Sequence, residues 1–319
     1  MTTREQVLRS IAPILEQPRF VTIDRERLGA FAQELLDAPL PKWDNDLQFL
    51  GTPEETAQYY FFLDSTNFCF WAPKGKQRWE YPIDGQWVGG YYAYSRALKD
   101  AHLRDRHFFE ASYLANISAE NFAEIFAGGR NELLLVPERH AIIRENYSIL
   151  EQQFGGQALN LLKEAGGDAD RLVALLLDAF PTFRDRAVVD GHEVWLLKRA
   201  QIFPSDLSFT GLPQLSVTGL EHLTVFADYK LPQLFEAQGV LRYAPTLDAA
   251  ITNQDLIPAG SREEVELRAS SIVASEELQA ELARLGRAIS LHELDWLLWV
   301  KAKQTDFAKP HHRTLTTFY

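Results

Sequence analysis

The chain has 319 residues, with 44 acidic against 32 basic side chains and a formal charge of −12. Hydrophobic residues at 46% and charged residues at 24% exclude a disordered chain, which would be poor in apolar side chains. A sequence pI near 5.2 argues against a protein that grips duplex DNA or RNA, because phosphate neutralisation needs a basic face; it leaves room for a pocket holding one nucleotide. The lone cysteine, Cys69, rules out an intramolecular disulfide and a cysteine zinc cluster, and within Phe68-Cys69-Phe70-Trp71 it reads as a small buried apolar residue. Met1–Leu8 carries no signal-peptide pattern, and no apolar run reaches the roughly 18 residues of a membrane span. A cytoplasmic protein is expected. Without repeats or low-complexity linkers, residues 1–319 read as one compact unit, with a region 1–130 packed on a helical 131–319.

Residues 5–17 and 25–37 carry apolar side chains at helical spacing, and Asp24 is placed to cap the second helix. Tyr59-Tyr60-Phe61-Phe62-Leu63 and Phe68–Trp71 read as extended aromatic segments around the polar turn Asp64-Ser65-Thr66-Asn67, although an aromatic-rich helix would look alike. Residues 79–81 and 86–88 predict short strands around Asp84-Gly85. Helices are predicted over 91–99, 118–126, 137–154, 157–164 and 169–179, with Gly128-Gly129, Gly155-Gly156 and Gly166-Gly167 at their C-terminal ends. Residues 194–203, 219–227 and 231–238 read as short segments divided by Pro204, Pro213 and Pro232. Ser261-Arg262-Glu263-Glu264 is a capping-box signature opening a helix to about 285, and 291–303 form the last long helix. The expected fold class is mainly α with a minor β element.

The chain lacks the H-E-x-x-H, G-x-S-x-G, G-x-G-x-x-G and G-x-x-x-x-G-K-[ST] patterns, so zinc-hydrolase, serine-hydrolase, dinucleotide and Walker-type sites find no support. His311-His312 reads as a feature of the tail rather than a metal site. Carboxylate chemistry remains. In Phe226-Ala227-Asp228-Tyr229-Lys230-Leu231-Pro232-Gln233 an acid follows an apolar run and precedes a proline-started helix, where amide groups and the helix dipole favour an anion. Two readings of Asp228 stand: a cap without chemistry, or a carboxylate held ionised to stabilise an oxocarbenium ion, attack a sugar carbon or orient a water. Asp295 in Glu293-Leu294-Asp295-Trp296-Leu297-Leu298-Trp299 is either a surface acid or one facing a pocket, with Trp296 and Trp299 beside it to stack on a planar base. Lys198, Arg199 and Arg268 are candidates to hold a phosphate; a Glu264–Arg268 ion pair one helical turn apart is the competing reading. Asp64 would accept from a base's donor edge or shape a turn.

These segments resemble the queuosine 5′-phosphate N-glycosylase family, also called queuosine salvage proteins. The stretches that carry the resemblance are 62–71, Phe180-Pro181-Thr182-Phe183-Arg184-Asp185, Lys198-Arg199-Ala200-Gln201-Ile202, 226–233, Glu264-Val265-Glu266-Leu267-Arg268 and 295–299. They run in order over nearly the whole chain, and F-A-D-Y-[KR]-x-P-Q is the most specific. The resemblance implies a helical fold related to helix-hairpin-helix DNA glycosylases and release of queuine from queuosine 5′-monophosphate. It assigns Phe226, Asp228, Asp295 and Trp296 to the base site, and Trp71 joins them as a stacking candidate. Asp228 is expected at the sugar or the attacking water and Asp295 at the base, although the exchanged roles fit equally. Tyr229 and Lys230 join Lys198, Arg199 and Arg268 as phosphate candidates. The chain departs from the family pattern where an early-loop histidine is expected, Gln48 being the nearest candidate for that base-site position, and at Val300, where an acid is expected. No metal or redox cofactor is expected, and the partners are small molecules rather than polymeric nucleic acid or a membrane. The rival class is a non-catalytic helix-hairpin-helix module binding tRNA or DNA; a duplex-DNA repair glycosylase is a further rival.

Overall fold

The computed structural model describes residues 1–43 and 47–319 and is mainly helical. In chain order the helices are α1 (Thr3–Leu15), α2 (Arg25–Leu35), α3 (Pro53–Ser65), α4 (Tyr91–Arg104), α5 (Ala111–Ala115), α6 (Ala119–Glu124), α7 (Val136–Phe154), α8 (Ala158–Glu164), α9 (Ala169–Ala179), α10 (Lys198–Phe209), α11 (Lys230–Ala237), α12 (Pro245–Thr252), α13 (Arg262–Arg284) and α14 (Leu291–Gln304). Among the described residues these helices are accompanied by three two-stranded antiparallel sheets. They pair β1 (Val21–Ile23) with β6 (Leu241–Tyr243), β2 (Glu80–Ile83) with β3 (Gln86–Gly89), and β4 (Arg186–Val189) with β5 (His192–Trp195).

Local chemistry sets most of these boundaries. Asp24 caps α2 by accepting from the Glu26 and Arg27 amides, and Ser261 caps α13 through the Glu264 amide. Asp84-Gly85 and Asp190-Gly191 both take positive φ at each residue, the turn that suits two-residue hairpins. The first hairpin is the one expected. The second was not expected: 194–203 reads from the sequence as one short segment ending at Pro204, whereas Val194 and Trp195 end β5, and α10 starts only at Lys198 and continues through Pro204 to Phe209.

The larger correction is at residues 59–63, which are not extended but lie inside α3. From Thr56 to Ser65 every residue of that helix is buried, so no polar face marks a helical period. Its signature lies upstream instead: Thr52 and Glu55 form a capping box, and Pro53 occupies the first turn.

Two apolar clusters fill the molecule. One draws on residues 49–226 and centres on Phe61, Phe62, Tyr147 and Phe180. The other joins the first helices to the last, with Val7, Ile11 and Phe31 packed in one body with Phe235, Ile272 and Leu294. A small third cluster, including Phe68, Trp71, Tyr229 and Tyr319, brings the segment after α14 against the loop after α3. No helix among the described residues is long and apolar enough to cross a membrane.

Candidate active site

The C-terminal end of α3 organises the neighbourhood. Its last carbonyls have no helical partner and carry the negative end of the helix dipole. Three buried cations collect the carbonyls of its last residue and of the loop that follows. Arg199 donates to the Ser65 carbonyl, Arg139 to those of Thr66 and Phe68, and Lys198 Nζ to that of Asn67 at 2.7 Å. Lys198 is placed by its own backbone: Leu197 adopts a left-handed φ of 58°, and the Lys198 amide donates to Asp185 Oδ2 at 3.2 Å.

A cavity of about 300 Å³ opens beside this cluster. Its walls follow helical periodicity. On α10 the lining residues are Lys198, Ile202, Ser205, Asp206 and Phe209; on α14 they are His292, Asp295, Trp296, Trp299 and Lys303. Between them enters the loop Phe226–Lys230. The remaining wall comes from Trp43, the stretch after α3 (including Trp71, Lys76 and Arg78), Tyr91, and His311, Arg313 and Tyr319 beyond α14.

Asp228 and Asp295 therefore share one sheltered space, 7% and 8% exposed respectively. Asp228 Oδ1 accepts the amides of Lys230 at 2.6 Å and Leu231 at 3.4 Å, at the start of α11. The capping geometry is thus present, and the side chain still lines the cavity. Asp295 Oδ1 accepts the Phe226 amide at 2.8 Å, which ties α14 to the same loop. Burial pushes the Asp295 carboxyl up to about 7; the Phe226 amide opposes this, nearby Asp228 adds to it, and Lys198 opposes it. Burial lowers Lys198, while Asp228, Asp64 and Asp295 hold its proton on.

The opposite electrostatics prevail farther along. Burial, with Arg78 and Lys230 close by, pulls the Lys303 ammonium down to about 8. His311 stacks on Tyr229 with centroids 4.4 Å apart and is held near 3 by burial and by Lys230, Arg313 and Arg78. Arg313 Nε and Nη1 are buried without a hydrogen-bond acceptor among the described residues. Positive charge thus accumulates at this end of the cavity, with open donors on Arg313.

Of the residues singled out from the sequence, Trp71, Lys198, Phe226, Asp228, Tyr229, Lys230, Asp295 and Trp296 line the cavity. Four candidates lie elsewhere. Arg268 is bound within the protein, to Asp185 at 2.6 Å, Glu264 at 3.3 Å and the Ala227 carbonyl at 2.9 Å. Arg199 is buried against the Ser65 and Thr182 carbonyls. Gln48 is fully buried and donates to the Tyr91 hydroxyl at 2.9 Å. Both Asp64 oxygens are buried without a hydrogen-bond partner among the described residues; burial holds that carboxyl well above the usual range, against Lys198, Asn67 and Arg199. Sequence reasoning missed Trp43, Lys76, Arg78, Asp206, Lys303, His311 and Arg313. For Asp206 a signal existed: Lys198, Ser205 and Asp206 recur on one helical face otherwise filled by Ile202 and Phe209.

The molecule is thus a helical protein with a cavity that combines acids, stacked aromatic rings and a basic patch. The chain belongs to the queuosine salvage protein family, whose model matches residues 47–319. It is 39% identical to a queuosine 5′-phosphate N-glycosylase/hydrolase of Sphaerobacter thermophilus over 98% of this chain and 97% of that protein. Proteins of the same description from Dictyostelium discoideum and Mus musculus are 34% and 30% identical, over 83% and 96% of this chain and 79% and 96% of theirs.

Proposed function

We propose that this chain hydrolyses the N-glycosidic bond of queuosine 5′-phosphate, releasing queuine and ribose 5-phosphate. The observation that carries the reading is the position of Asp228 at the junction of two regions. It interacts with Asp295 and Lys198 on the side of the aromatic rings and with Lys230 on the side of the cations. A nucleotide has the same order: base, sugar, phosphate.

The base is a 7-deazaguanine. Its ring lacks the N7 that ordinary purines protonate on leaving, so bond cleavage leans on charge at the sugar and donors and acceptors at the base. Asp228 supplies a fixed carboxylate at the anomeric carbon, where positive charge develops. The Lys230 and Leu231 amides orient that carboxylate. Asp295, ionised, accepts from the base's N1–H and amino edge, while Phe226, Trp296 and Trp71 flank the ring. Water adds hydroxyl to the anomeric carbon, its proton goes to the departing base nitrogen, and the electrons of the broken C–N bond stay with the base. Arg78, Lys230, Lys303 and Arg313 hold the phosphate.

Purified protein incubated with queuosine 5′-phosphate should yield queuine and ribose 5-phosphate by mass spectrometry. Asp228→Asn should keep the fold and the affinity for queuine and lose on the order of 10²- to 10⁴-fold in kcat. Parental turnover in that variant contradicts the assignment.

A further inference from the structure

The aromatic end of the cavity holds a third acid. Asp206 is 4% exposed on the cavity wall and accepts from the Tyr91 hydroxyl at 3.4 Å. Its cationic neighbour Lys198 directs its ammonium elsewhere, to the two oxygens of Asn67. Beside it the Ser205 hydroxyl is buried on the same wall with no partner among the described residues.

A run of rings starts at Tyr91, which hydrogen-bonds this acid, and returns to Phe209 on the acid's own helix. Tyr91 meets Trp299 edge-on at 5.6 Å, Trp299 stacks on Trp296 at 5.5 Å, Trp296 lies 4.8 Å from Trp43, and Trp43 stacks on Phe209 at 4.9 Å. Phe209 is one helical turn beyond Asp206 on α10. Rings alone would suit any flat or apolar group; the buried acids Asp206 and Asp295 lining the same cavity select a group that brings its own positive charge. A carboxylate buried among aromatic faces gains most from an organic cation.

We propose that Asp206 and these rings form an ammonium subsite, and that its occupant is the secondary amine on the 7-substituent of the queuosine base. The inference rests on the substrate proposed above, whose deazaguanine carries an aminomethyl-linked cyclopentenediol. Ser205 Oγ accepts the second N–H of that ammonium. Burial and the neighbouring Asp64 on α3 hold the Asp206 carboxyl well above the usual carboxylate range; the Tyr91 hydroxyl on α4 and Lys198 on α10 oppose this, and Asp295 on α14 adds to it. Burial therefore favours the protonated form of the acid in the empty cavity. Entry of the ammonium ionises it, and the proton goes to solvent. Nucleotides without the amine gain no such ion pair, so the subsite favours the queuosine base over guanosine 5′-phosphate.

Calorimetry with queuine and with 7-deazaguanine, each in two buffers of different ionisation enthalpy, tests this on the unaltered protein. Queuine should bind on the order of a hundredfold tighter, with a proton released that 7-deazaguanine does not release. Asp206→Asn should remove both differences and leave 7-deazaguanine affinity unchanged. Equal affinities for the two bases in the parent protein overturn the proposal, as does a variant that weakens both bases alike. If the parent protein binds queuine in this way yet does not cleave queuosine 5′-phosphate, the ammonium subsite stands and the proposed reaction fails.

Discussion

At the scale of single residues, the site is a place where the protein gives up stability. Asp295 is buried beside Asp228, so its charged form is disfavoured. The folded protein holds this proton more tightly than the unfolded chain does. Stability therefore falls as pH rises from the ordinary carboxyl value of 3.8 toward about 7. Asp295→Asn should remove that part of the fall and raise thermal stability above pH 7 relative to the parent, while weakening queuine binding. Melting curves across this range check it; a variant less stable than the parent at every pH contradicts it. Asp64 and Asp206 shift in the same direction, so some slope remains.

At the scale of elements, α13 acts as a buttress. Arg268 joins α13 to Asp185 and to the Ala227 carbonyl, one residue before Asp228. Arg268→Ala leaves Asp185 and Glu264 as uncompensated buried carboxylates and should cost about 3–5 kcal/mol. Denaturant unfolding should show that loss, and the ratio of KM for nucleotide to KM for nucleoside should stay unchanged. Normal stability with a KM raised only for the nucleotide would restore Arg268 to the phosphate site. The ion pair with Glu264 was legible as a spacing of one helical turn; that its third member is Asp185, 83 residues away, was not. The same limit explains α3. Period and capping mark an amphipathic helix, but a helix buried on all sides shows only its cap.

At the scale of the whole molecule, the candidate site divides into what is local in sequence and what only folding assembles. The loop 226–233 and the stretch 295–299 each carry an acid with its aromatic or capping context, and both were readable. Of the basic residues, Lys230 was readable as a phosphate candidate, and Arg78, Lys303 and Arg313 were not. Arg78 lies in the loop before β2, Lys303 at the end of α14, and His311 and Arg313 beyond it. Lys74, Lys76 and Arg78 stand close together in sequence, as do Lys309, His311, His312 and Arg313, but the repulsion between the two groups arises only when folding brings them together. The most direct test is the crystal structure of the Asp228→Asn variant with uncleaved queuosine 5′-phosphate. It should place the guanine edge at Asp295, the amine at Asp206, the anomeric carbon beside residue 228, and the phosphate among Arg78, Lys303 and Arg313. A phosphate bound at the aromatic end, or a base outside the reach of Asp295, would contradict it.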